Sequence, residues 1–198
     1  AFSPALLWST SWILSDPLFL ALTLACLWSF HRTDHSASPL RWILAGCAFA
    51  ILSTFTRTAG LPLVLAVGAA FGLARRWRAL AGFTAVFVVP NLLWWLRSRA
   101  GGEAQYVSEF WMIDPYQPDL GQAGIGELSV RVLENLQGYV LLHIPAGLSP
   151  WSGVALTALG VVLMATAVTG WVARIRVRRT VAELFTPLYF GLILLWPA

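Results

Sequence analysis

The chain reads as an all-α, polytopic integral membrane helix bundle, with about six membrane spans and a long extracytoplasmic loop that carries a surface helix. Three observations carry this expectation. Apolar residues make up 58% of the sequence and charged residues only 11%, against about 25% charged in soluble domains. Apolar runs of bilayer length recur and are separated by short polar connectors. Arginines gather at the ends of those runs, at Arg75, Arg76 and Arg78 and again at Arg174, Arg176, Arg178 and Arg179, which is the signature of membrane topology.

The same distribution excludes other classes. A net charge of +4 and a pI near 9.7 could suit nucleic acid, but the basic residues do not share one solvated face, so no nucleic-acid partner is expected. Cys26 and Cys47 each lie inside an apolar run, where a small buried thiol is the ordinary reading and no disulfide follows. No His, Asp and Glu residues fall at ligand spacing, so no metal and no cofactor is expected. The chain begins without a basic leader and stops inside the apolar run LYFGLILLWPA, so it reads as a single transmembrane domain over 1–198 that is a piece of a longer protein.

The first apolar run, Ser3 to Phe30, is broken by Asp16-Pro17, which predicts a short segment before Ser15 and a spanning helix after it. Ser15 or Asp16 can cap that helix, with Pro17 in its first turn. After the connector HRTDHSASPLR, Ser38-Pro39 marks a second helix of about eighteen residues to Thr56, just enough to cross. Arg57 and the turn TAG follow, Gly60 breaks the pattern, and Pro62 opens a third helix to about Ala74. A fourth span runs from about Ala79 to Leu96, with a kink at Pro90.

The segment 97–149 is hydrophilic and holds six of the nine acidic residues: Glu103, Glu109, Asp114, Asp119, Glu127 and Glu134. Its first part mixes Pro and Gly with aromatic residues and reads as a loop. From about 125 to 143, Ile125, Leu128, Val132, Leu136 and Tyr139 recur at helical spacing opposite a stripe of Glu127, Arg131 and Glu134. Glu127 and Arg131 are spaced for an i,i+4 ion pair, and the helix is expected to lie along the membrane surface. A fifth span from about Trp151 to Ala173 precedes RIRVRR, and a sixth starts near Leu184.

If the two arginine clusters are cytoplasmic, alternation puts the acidic loop outside and the His31–Arg41 connector inside. Asp16 and Arg57 then both fall at the outer boundary, level with the loop and its aromatic residues Tyr106, Phe110, Trp111 and Tyr116. An arginine between two apolar segments is costly unless it meets water, an acid or an anionic headgroup. The arrangement suits a substrate that is half lipid and half polar: Arg57 can take a lipid phosphate, with Asp16 beside it, while Tyr106 and Trp111 stack on a sugar.

The runs ILSDPLFLALTLACLWSF and AGCAFAILSTFTRTAGLPLVLAVGAAFGLARRWR resemble polytopic GT-C glycosyltransferases, the group that includes protein O-mannosyltransferases and aminoarabinose transferases. The resemblance lies in an acid before "PLF" at the start of one helix and in a basic-x-x-Gly element, Arg57 to Gly60, joining two others. The closing YFGLILLWPA is similar to the lead-in to a later helix in some of these enzymes. The resemblance implies an inverting transfer of a sugar from a polyprenyl-phosphate donor to an acceptor at the outer face of the cell membrane. It implies that Arg57 meets the lipid phosphate, that Asp16 is an acid of the same region, and that the catalytic acid lies upstream of this chain.

Other readings stay open. Arg57 can simply snorkel to the headgroups, Asp16 can be no more than a helix cap, most tryptophans are interface anchors, and His143 reads as a structural histidine. A membrane transporter or permease would need polar groups near the bilayer midplane, where these spans carry almost none. A non-catalytic membrane subunit would present the same pattern.

Overall fold

Two helices of similar length joined by a short connector can pack only as an antiparallel hairpin, and the chain begins with such a pair. The computed structural model describes residues 15–33, 35–99, 110–114, 117–144 and 153–196. Among these, seven α-helices follow in order: α1 (Ser15–Thr33), α2 (Pro39–Thr56), α3 (Leu61–Leu73), α4 (Trp77–Arg99), α5 (Ile125–Gly138), α6 (Val154–Val177) and α7 (Val181–Leu195). Short 3-10 turns occur at Thr58–Gly60 and Pro118–Leu120, and α5 continues into a π turn at Tyr139–His143. The described residues form no strand; an isolated antiparallel bridge joins Met112 and Gln122. The fold is all-α.

Among the described residues, two helices, α2 and α6, are long and apolar enough to cross a membrane. Only 17% of the α2 stretch and 6% of the α6 stretch is buried inside the protein, whereas the core helix of a soluble domain would be mostly buried. Thr58–Leu73, Trp77–Leu93 and Val181–Leu195 are shorter apolar helices. Some helix hydroxyls return to their own backbone: Ser29 Oγ in α1 donates to Ala25 O at 2.7 Å, and Thr166 Oγ1 in α6 to Val162 O at 2.7 Å. Such bonds satisfy a polar side chain without a partner helix.

The chain divides into two compact units, Ala1–Val89 with Arg178–Tyr189, and Pro90–Val177 with Phe190–Ala198. The first unit is built around α3, which contributes Leu63, Val64, Ala66, Val67 and Phe71 to a buried core with Cys26, Ala50, Ile51, Phe83 and Val181. Phe71 sits edge-on to Phe30 and to Phe83, with centroids 6.1 and 6.0 Å apart. Where α2 crosses α1, a Cβ added at Gly46 would lie 2.6 Å from the Phe30 ring, which would have to move aside.

Helix α3 closes with the Arg76 N–H donating to Phe71 O and the Arg75 N–H to Gly72 O, both at 2.9 Å. This Schellman closure forces Arg75 to φ 54°, a left-handed conformation that glycine adopts without strain. Arg75→Gly is expected to raise the unfolding free energy in detergent by about 1 kcal/mol, read from the denaturation midpoint.

Boundaries differ from expectation in three helices, and the first, α4, runs Trp77–Arg99 rather than from about Ala79 to Leu96. Helix α7 begins at Val181 rather than near Leu184, because Glu183 accepts from both the Thr180 N–H and the Thr180 hydroxyl. That is the Thr-x-x-Glu cap, legible in the sequence as TVAE. Helix α6 continues past Ala173 to Val177 and takes Arg174 and Arg176 into its last turn, where cations complement the helix dipole. Pro90 lies inside α4, where the division between the two units falls.

The second unit holds α5, and here the expected Glu127–Arg131 pair is not formed. Glu127 instead turns back to accept the Gly124 N–H at 3.0 Å, capping the start of its own helix. Arg131 is 8% exposed and faces inward, although the helical pattern put it on the solvated stripe.

Candidate functional site

The end of α2 sets up the site. Thr56 Oγ1 and the Arg57 N–H both reach Ser53 O, at 2.7 and 3.1 Å, which closes the last turn. Arg57 is then extended, at φ −153° and ψ 145°, between α2 and the Thr58–Gly60 turn, which returns the Gly60 N–H to Arg57 O at 2.9 Å. Pro62, in the first turn of α3, continues the chain into the core without needing a donor there. The result is one arginine carried on a bracket between two helices.

Gly60 fixes that bracket. Its α-carbon packs so closely on α2 that an added Cβ would fall 2.6 Å from the Ser53 carbonyl carbon and 2.7 Å from the Ser53 hydroxyl oxygen. Those are backbone and fully buried atoms with nowhere to move. Gly60→Ala is therefore expected to destabilise the first unit by about 1–3 kcal/mol and to shift Arg57, measured as a lowered thermal midpoint.

Helices of 19 and 18 residues span about 28 and 27 Å, so the start of an antiparallel α1 lies beside the end of α2. There Asp16, in the first turn of α1, meets Arg57, with Oδ1 against Nη1. Of the four residues expected to bind substrate, these two are brought together. Their side chains are 56% and 47% exposed, so the pair is open to a third group, and an ion pair this exposed contributes little to stability. The guanidinium carries five donors and the Asp16 contact engages one nitrogen, leaving the other face of the fork for an anion.

Trp111 belongs to the second unit, 46% exposed, with its ring edge-on to Phe110 at 5.3 Å. Its carbonyl accepts the Ala123 N–H at 2.7 Å, and the Ile113 N–H reaches Gly121 O at 3.0 Å, so the aromatic segment is folded back on itself rather than open. Gly121, at φ 83°, makes the reversal possible. Tyr106 and Tyr116 lie outside the described residues. His143 packs against Tyr139 with ring centroids 5.1 Å apart at the end of the π turn.

The pattern paired Arg131 with Glu127 and did not single out Asn135. Arg131 Nη1 donates to Phe110 O and Leu195 O at 3.1 and 3.2 Å, and Nη2 to Met112 O and to Ile113 O, the latter at 3.2 Å. One turn on, Asn135 Nδ2 donates to Leu194 O and Trp196 O at 3.0 and 2.9 Å. Together they satisfy carbonyls that the end of α7 leaves without helical partners. The available signal was position: Arg131 is the single arginine between Arg99 and Arg174, flanked by Val130 and Val132. Beside them an open cavity of about 320 Å³ is lined by Glu127, Arg131, Glu134 and Asn135 with Ile113 and Val130.

Among the described residues no group of three His, Cys, Asp or Glu side chains is placed to hold a metal ion. Cys26 and Cys47 are free thiols, the first buried in the core. No family model, curated protein or solved structure matches the chain.

Proposed function

We propose that this chain is part of a multi-pass enzyme of the cell membrane that moves a sugar from a polyprenyl-phosphate donor to an acceptor at the outer face. The observation that carries the reading is the half-exposed meeting of Asp16 and Arg57 at one end of the α1–α2 hairpin. A guanidinium already oriented by a carboxylate, at the end of an apolar helix, suits a phosphate whose greasy tail stays in the bilayer. The six-span arrangement belongs to the same proposal. It takes α2 and α6 as spans and adds α1, the Thr58–Leu73 helix, α4 and α7, with the segment 97–149 on the outer side.

In this reading Arg57 binds the phosphate head of the donor and Asp16 holds Arg57 in place. The resemblance to GT-C enzymes supports the reaction class. The test is reconstitution of the full-length protein with a radiolabelled polyprenyl-phosphate sugar, scoring both lipid crosslinking to the 57–60 segment and sugar release. A single cysteine placed at Gly102 should react with an impermeant maleimide from outside the cell. Absence of crosslinking near Arg57, or protection of position 102, overturns the proposal.

A further inference from the structure

The opposite end of the α1–α2 hairpin carries a second cationic cluster. Arg32, in the last turn of α1, places its guanidinium carbon 5.8 Å from the centre of the Trp28 ring and 5.6 Å from that of Trp42. Arg41, in the first turn of α2, lies 5.3 Å from the same Trp42 ring. Trp42 is itself held, because its indole N–H donates to Ser36 Oγ at 3.1 Å, and that oxygen also accepts the Ser38 N–H at 3.1 Å. Two arginines from two helices are thus fixed around one anchored indole.

A π-face orients a guanidinium but does not neutralise it. Among the described residues, no carboxylate meets either Arg32 or Arg41. Both are exposed, and each guanidinium lies within 6 Å of the centre of the same Trp42 ring. Such a pair calls for an anion. Leu24 and Trp28 on α1, and Leu40 and Leu44 on α2, are 58%, 57%, 65% and 61% exposed, so apolar surface runs from the guanidiniums along both helices. A free phosphate would make no use of that surface, whereas an acyl chain would lie along it.

We propose that Arg32 and Arg41, framed by Trp28 and Trp42 at this end of the α1–α2 hairpin, bind the phosphate of an anionic phospholipid. The site rests on the membrane reading above but not on the sugar-transfer chemistry. It lies at the far end of the hairpin from Asp16 and Arg57, so an acidic lipid here anchors and orients the bundle from the other leaflet.

The experiment reconstitutes the full-length protein in nanodiscs of phosphatidylcholine with and without phosphatidylglycerol, and counts retained lipids by native mass spectrometry. The wild type should retain phosphatidylglycerol in preference to phosphatidylcholine. The Arg32→Gln/Arg41→Gln double variant should retain it about thirtyfold less well. Arg32→Lys/Arg41→Lys, which keeps the charge, should preserve the preference and keeps the test readable if the glutamine variant misfolds. Equal retention of the two lipids by the wild type, or undiminished preference in the glutamine variant with normal helicity, overturns the site. Inorganic phosphate bound by lipid-free protein as tightly as phosphatidylglycerol would assign the cluster to a free anion instead. Failure of the wild type to enter a bilayer overturns both readings, while loss of sugar transfer in Arg57 variants leaves lipid preference untouched.

Discussion

Arg57→Ala in the full-length protein is expected to lower kcat/KM for a polyprenyl-phosphate sugar by about 10- to 100-fold, the range for losing a hydrogen bond to a charged group. Stability should change by less than about 1 kcal/mol, because the ion pair with Asp16 is half exposed at both ends. The two readouts separate binding from scaffolding. If Arg57 served only to tie α2 to α1, turnover and unfolding would fall together or neither would move. Arg57→Lys should recover part of the activity, since an ammonium keeps the charge but loses the planar fork. Asp16→Asn should be milder than Arg57→Ala, because it leaves the cation in place and removes only its orienting partner. Unchanged turnover in Arg57→Ala, with normal expression, would remove this residue from the site.

Arg131→Met carries the largest expected effect on stability, about 2–4 kcal/mol. The substitution keeps much of the side-chain volume but leaves the carbonyls of Phe110, Met112, Ile113 and Leu195 without their donor. Loss should appear first as faster hydrogen exchange at residues 110–113 and at the end of α7, ahead of global unfolding. Asn135→Ala, which removes a single amide with two acceptors, should cost about half as much. An Arg131→Met protein with wild-type exchange in both segments would show that water replaces the guanidinium without loss.

The helices themselves were legible wherever chain chemistry is local. Ser38-Pro39 predicted the start of α2 and the helix begins at Pro39, because a proline at the first position needs no donor and pre-sets φ. Arg57-Thr-Ala-Gly60 predicted a break, and the break is there because Gly60 alone allows the turn to press on Ser53. The meeting of Asp16 with Arg57 was also within reach, since antiparallel helices of nearly equal length bring the start of the first beside the end of the second. The start of α7 was missed although its Thr180-Val-Ala-Glu183 cap was written in the chain, because the apolar run was read without its polar prelude.

The side-chain fates in the second unit could not be read from spacing. Periodicity assigns a residue to a face of its own helix, but it says nothing about which other backbone arrives at that face. Arg131 was placed on the polar stripe with Glu127, and is buried because Phe110, Met112, Ile113 and Leu195 bring four carbonyls to it from distant positions. Apolar composition, helix ends and the pairing of neighbouring spans are set by interactions within a few residues or by bilayer length, so they belong to the sequence. Which cation is buried and which stays open is decided by the carbonyls and carboxylates that folding delivers: Arg131 closes around backbone, and Arg57 meets one exposed acid and keeps donors to spare.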